Sequence, residues 1–215
     1  MTDTTGALGQ LLPTGPPGVP AATGAAPAPA ARRDFQIVPL RGLPVVAAVL
    51  AGLVAAVAAN ALWPLDFFHV VSGGIWTTLD LFLGFVLGPI LGRLPVSART
   101  ELTTRLMPKL ILIMPTVVVC TLAAGFQLAR HLGYLYPTYP DHGWVVASFV
   151  VVAVMAVIAL GLLEPANLAV LFELKKPRPD GEVIGRLMRR FIATAGITGA
   201  MQVATLVIMT RLATS

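Results

Sequence analysis

Long runs of apolar residues alternate with short polar stretches through most of this chain. The runs extend over about 43–63 (Leu43 to Trp63), 67–91 (Phe67 to Leu91), 110–131 (Leu110 to His131), 144–172 (Trp144 to Phe172) and 191–209 (Phe191 to Met209). Each reaches the roughly 20 residues needed to cross about 30 Å of hydrocarbon. Lipid offers no hydrogen bonds to a peptide backbone, so each run is expected to be a helix that satisfies its own N–H and C=O groups. The pattern therefore predicts an all-α fold, a polytopic membrane bundle of five transmembrane helices over residues 41–215. Residues 1–40 differ: Ala, Pro, Gly and Thr dominate, as in Gly15-Pro16-Pro17-Gly18. A stretch that cannot bury enough surface to offset its ordering entropy is expected to be a disordered tail.

Composition agrees with the pattern. Of 215 residues, 56% are hydrophobic and 12% charged, where soluble chains carry about 25% charged residues. The 3 histidines and 1 cysteine leave no room for an internal disulfide, a zinc finger or a four-cysteine cluster. Charge adds orientation. Arg32, Arg33 and Arg41 precede the first run; Arg93, Arg99, Arg105 and Lys109 lie between the second and third. Lys175, Lys176, Arg178, Arg186, Arg189 and Arg190 lie between the fourth and fifth, so all but two of the 15 basic residues fall on one side. By the positive-inside rule the N-terminus is expected to be cytoplasmic and the C-terminus outside, in an inner (plasma) membrane. The net charge of +5 is then an orientation signal, and no nucleic-acid partner is expected. Arg32-Arg33-Asp34-Phe35 also has the form of a twin-arginine signal, with a small-x-small site at Ala59-Asn60-Ala61; cleavage there would leave four spans.

The polar residues inside the runs carry the candidate chemistry. At 3.6 residues per turn, His69, Gly73, Trp76, Asp80 and Gly84 share one stripe of the second span. Polar and small residues in spans face other helices, so this stripe is expected to face the bundle, with Asp80 about 16 Å deeper than His69. On the third span Thr116, Cys120, Ala124, Gln127 and His131 form a second stripe. His142 lies in the following loop, so all three histidines are expected at the outer surface, near Asp66 and Asp141. Imidazoles there suit haem iron or copper: His69 and His131 as cofactor ligands, and His69, His131, His142 and Asp141 as a metal set. Asp80 and Glu164 are carboxylates within the membrane with no basic residue in any span to pair with. They are candidates for a proton path, with Asp80 the candidate catalytic acid or base; the structural reading is a hydrogen bond from Asp80 to Thr77, Thr198 or Gln202. Thr194, Thr198, Gln202 and Thr205 line one face of the fifth span as a packing seam. No phosphate-cradling loop, HExxH or Gly-x-Ser-x-Gly is present.

Phe68-His69, Ile75-Trp76 and Leu81, followed by Arg105-Leu106-Met107, Pro115 and Ala124-Gly125-Phe126-Gln127-Leu128, resemble the HemJ-type protoporphyrinogen oxidases and the CopD-like copper-resistance membrane domains. The resemblance covers residues 67–131. It implies a histidine-bearing helix bundle that binds haem b, with the ligand role carried onto His69 alone. Where the HemJ-type proteins place an arginine after this stretch, the chain has Leu81, Phe82 and Leu83, which separates the haem expectation from the oxidase reaction. Three functions follow as expectations. The first is a membrane redox protein holding haem b near its outer face and working with a membrane redox partner. The second is a copper, cation or proton-coupled transport protein. The third is a non-catalytic subunit of a larger complex or a homo-oligomer.

Overall fold

The computed structural model describes residues 36–214. The expected tail falls almost wholly outside these residues, as does the twin-arginine stretch. Among the described residues all regular structure is helical, and five helices are long and apolar enough to cross a bilayer: α1 (Leu40–Ala59), α2 (Leu62–Arg93), α3 (Val96–His131), α4 (His142–Lys175) and α5 (Gly181–Ala213). The all-α bundle and its five spans are as the hydropathy pattern predicts.

The helix boundaries differ from the apolar runs, for local reasons. α1 stops at Ala59, before Trp63, because Asn60 turns into the left-handed region at φ 46° and donates its N–H to the Val57 carbonyl. Asparagine is among the few residues that tolerate this conformation. Trp63 therefore belongs to α2. The polar connection expected after Leu91 shrinks to Leu94 and Pro95, so Arg99, Arg105 and Lys109 ride on α3. Arg99 makes the tight corner workable. Its guanidinium donates to the carbonyls of Leu91 at 3.0 Å, Gly92 at 3.3 Å and Leu94 at 3.2 Å, the acceptors a helix C-terminus leaves without partners. α5 likewise starts well before Phe191. The Asp180 carboxylate caps it, accepting from the N–H groups of Glu182 at 2.8 Å and Val183 at 3.2 Å. Hydropathy marks where a helix can be buried in lipid. It does not mark where the helix ends.

Two helices change pitch in mid-course. Residues Phe82–Leu87 of α2 and Ala159–Leu163 of α4 are π-helical, and each stretch ends two residues before a proline, Pro89 and Pro165. A proline removes one backbone donor and crowds the carbonyl four residues back. The wider π turn relieves both effects without breaking the helix.

α2 is the centre of the bundle. It packs most extensively on α3 and also on α5, while α1 lies against α3 and α2. Its closest approach is to α5, where a Cβ on Gly84 would sit 2.5 Å from the Gly196 Cα; only glycine allows the two backbones to meet there. The C-terminal part of α4, from Glu164 to Lys175, packs on both α3 and α5. The main core runs from Trp76 inward through Leu83, Met107, Leu171 and Phe191. A smaller cluster joins Leu53 of α1 to Cys120 and Ala124, which makes Cys120 a small buried apolar residue.

Candidate functional site

The half of the bundle that holds His69 is not filled. α2 and α3 form one wall and α4 and α5 the other, enclosing a cavity of about 540 Å³. Small residues, Gly73, Gly125 and Ala129 among them, leave room on the first wall. Between α3 and α4 the rings of Phe126 and Phe149 meet edge-on, with centroids 6.2 Å apart, and close that flank. Such a volume is typical of small-molecule sites, which are mostly apolar with a few polar groups.

His69 stands on the wall of this cavity. Its Nδ1 lies 2.9 Å from the backbone carbonyl of Thr121. A carbonyl only accepts, so Nδ1 is the donor, and in the neutral ring this leaves the lone pair on Nε2. The ring comes this close to α3 because residue 125 is glycine: a Cβ there would come within 2.5 Å of Nδ1. Thr121 and Gly125 thus fix the orientation of the imidazole; Gly125 was part of the stretch that carries the family resemblance, with no role toward His69, and Thr121 was not singled out. Their signal is a carbonyl-bearing position and a glycine one helical turn apart, which means something only when the facing helix is known.

Deeper in, the stripe predicted on α2 turns inward as expected. Trp76 is 2% exposed and Asp80 fully buried. Gln202 of α5, also 2% exposed, donates from Nε2 to Asp80 Oδ2 at 2.9 Å. The interhelical hydrogen bond read from sequence as the structural role of Asp80 is therefore present. Gln202 and Trp76 both belong to the residues around the cavity; Thr198 and Trp76 lie against the Asp80 carboxyl beside Gln202, and Gln202 Oε1 has no hydrogen-bond partner among the described residues. The hydroxyls nearby are spoken for: Thr77 donates to Gly73, Ser148 to Val145 and Thr205 to Met201.

The other candidates lie elsewhere. His131 is exposed at the end of α3 and is not part of the cavity wall. The stripe it was read on faces α1, since Cys120 and Ala124 pack on Leu53 and Gln127 donates to Asn60 at 2.8 Å. The face of α3 that lines the cavity is turned by one residue, through Thr121, Leu122, Gly125 and Phe126. His142 Nδ1 lies 3.4 Å from the Tyr134 carbonyl, and Asp141 pairs with Arg211 at 3.3 Å. Among the described residues no group of three or more His, Cys, Asp or Glu side chains is placed to hold a metal ion. Glu164 is half-buried against Met114, Pro115 and Phe191, beside a void of about 10 Å³. Asn167, nearby in sequence, is buried with its amide unpartnered among the described residues. Compared with known proteins, the chain matches no family model, no curated protein and no solved structure.

Proposed function

We propose that this chain is an integral membrane redox protein that would hold haem b in its outer cavity, with His69 as a ligand to the iron. The observation that carries the reading is the state of that imidazole. Its Nδ1–H is anchored on the Thr121 carbonyl, and its Nε2 lone pair is left for the cavity it lines. Metal-ligating histidines are characteristically held in this way by their second nitrogen. The residues fit the group, because the walls are chiefly apolar and the volume is that of a substantial ligand. Bound there, haem b would supply one-electron chemistry at a potential set by its ligand and by burial. The chain's own residues would orient the ligand nitrogen and exclude water, with Asp80 the candidate proton-holding group, held by Gln202. Haem is preferred to copper because His69 has no neighbouring set of ligands around it.

The positive-inside rule supports a plasma-membrane setting with the N-terminus cytoplasmic, which opens the cavity toward the outer leaflet. Electrons would then pass to or from a membrane redox partner, or within a larger complex. The test is the visible spectrum of protein purified in mild detergent from haem-replete cells, oxidised and then reduced with dithionite. A Soret band that sharpens on reduction, with α and β bands, is expected. A colourless preparation would overturn the reading, and metal analysis of that same sample would show whether a copper ion takes its place.

A further inference from the structure

Positive charge outnumbers negative at the end of the bundle where α2 turns into α3 and α5 begins. The acids there are already engaged among the described residues: Glu101 with Arg105 at 2.7 Å, Glu173 with Lys176, and Glu182 with Arg186 at 3.6 Å. The Asp180 carboxylate accepts from the first N–H groups of α5. Arg189, exposed on α5, pairs with no acid among the described residues.

Arg99 of α3 comes to the same place. Its Nε and Nη2 donate to the carbonyls of Leu91, Gly92 and Leu94, which fixes the guanidinium, leaves its charge uncompensated and leaves Nη1 for another acceptor. A Cβ built on Gly185 would lie 3.5 Å from Arg99 Nη1 and 3.8 Å from Arg189 Nη1. Two guanidiniums from two helices therefore converge on one point of α5, and residue 185 puts no side chain there. One turn earlier a Cβ on Gly181 would lie 3.0 Å from Val96 Cγ1, so the start of α3 rests on the start of α5 and packing holds the two arginines together. Like charges this close repel, and an anion shared between them reverses the sign. The Arg99–Gly92 bond is exposed, as is Arg189, so an anion can reach the pair from outside the bundle. A tetrahedral phosphate suits it: its oxygens meet the forked donors of two guanidiniums, and its charge can match both.

We infer that Arg99 and Arg189 form a seat for a phosphate group, supplied by the headgroup of an anionic phospholipid or by a soluble phosphate. Arg99 is the pre-set member and Arg189 the one that completes the site. The seat lies beyond the far end of α2 from His69 and does not depend on what that imidazole holds.

Thermal unfolding of the full chain in an uncharged maltoside detergent tests it, with dioctanoyl phosphatidic acid and inorganic phosphate as probes at constant ionic strength. Phosphatidic acid is expected to raise the unfolding midpoint saturably. Arg189→Gln, which breaks no ion pair of the fold, is expected to weaken that response about tenfold. Arg190→Gln removes the same charge one residue away and is expected to change the apparent affinity less than twofold. Inorganic phosphate that acts as strongly as the lipid assigns the seat to a soluble phosphate, and inorganic phosphate without effect assigns it to a headgroup. Equal losses in the two variants would show diffuse attraction by the basic end. Dioctanoylglycerol hemisuccinate, with the same chains and a carboxylate, acting as tightly would show that any anionic amphiphile serves. Either result, or a midpoint that does not rise saturably, would overturn the seat. The readout involves no haem, so a colourless preparation leaves this test intact.

Discussion

Gln202 on α5 reaches across to Asp80 on α2 and donates to its Oδ2 at 2.9 Å, with both side chains buried. This bond joins the two helices about one turn from the Gly84–Gly196 crossing along α2 and nearly two turns along α5, at the level where the cavity ends and the solid core begins. Asp80→Asn keeps an acceptor for Gln202 and is expected to leave thermal unfolding in detergent nearly unchanged. Asp80→Leu leaves the Gln202 Nε2 donor without its acceptor and is expected to cost about 1–3 kcal/mol. Equal losses in the two variants would show that the charge, and not the hydrogen bond, holds the helices.

His69 and His131 are expected to part company under mutation. His69→Ala should lower haem occupancy of purified protein by tenfold or more, since its imidazole is the one that faces the cavity. His131→Ala, at an exposed helix end, should leave the spectrum as it was. Haem retained by His69→Ala would end the ligand assignment.

Gly125 offers a subtler probe of the same ring. A methyl group there would sit 2.5 Å from His69 Nδ1, so Gly125→Ala must displace the imidazole or α3. The expected result is a shifted Soret position or lost haem at little change in expression. Gly74→Ala, which meets nothing within 4 Å, is the matched control and should be silent.

The α2–α5 crossing should respond as a packing site. Gly84→Ala places a Cβ 2.5 Å from the Gly196 Cα, and backbone cannot yield as a flexible side chain does. A cost of about 1–3 kcal/mol is expected from such overpacking, read as a lower midpoint in thermal unfolding. A midpoint like the wild type's would mean that the helices are not in contact there.

Asp180 predicts a pH dependence at the opposite end of α5. The Val183 and Glu182 N–H groups, and more weakly Arg186 and Lys176, hold its carboxyl below the ordinary 3.8. A carboxyl depressed on folding stabilises the helix end fully above its unfolded value, and that contribution fades as pH falls through the lower folded value. Hydrogen exchange at the first turn of α5 should therefore keep its protection between pH 7 and pH 5 and lose it only in stronger acid. Asp180→Ala should remove the protection at every pH, whereas Asp180→Asn should keep a cap without the acid response. Exchange in the Asn variant that still changes with acid would assign the effect to another group.

The five spans were legible because 20 apolar residues in a row have one physical destination. The inward face of α2 was legible too, since His69, Trp76, Asp80 and Gly84 mark one stripe whichever helix they meet. On α3 the same reasoning chose a real stripe that faces α1. Periodicity tells which residues share a face, and two faces of α3 are both lined with small and polar residues. The partner of each face depends on how α1, α2 and α4 arrange themselves around it. Gly125 and the Thr121 carbonyl were out of reach for the same reason: their role exists only once the His69 ring is laid across them. Arg99, counted in the sequence as a topological charge, also closes a corner, because a guanidinium can reach three carbonyls that hydropathy does not register.

α5 runs without proline or π turn from Gly181 to Ala213, unlike α2, α3 and α4. Its outer portion carries Gln202 and Thr205 on the cavity wall, and its other end bears Arg186, Arg189 and Arg190. At 33 residues it is a rod of about 50 Å, with its tightest contact at Gly196, near the middle. That contact pins the rod near its middle, so one unbroken helix carries both a wall of the cavity and the arginine-bearing end.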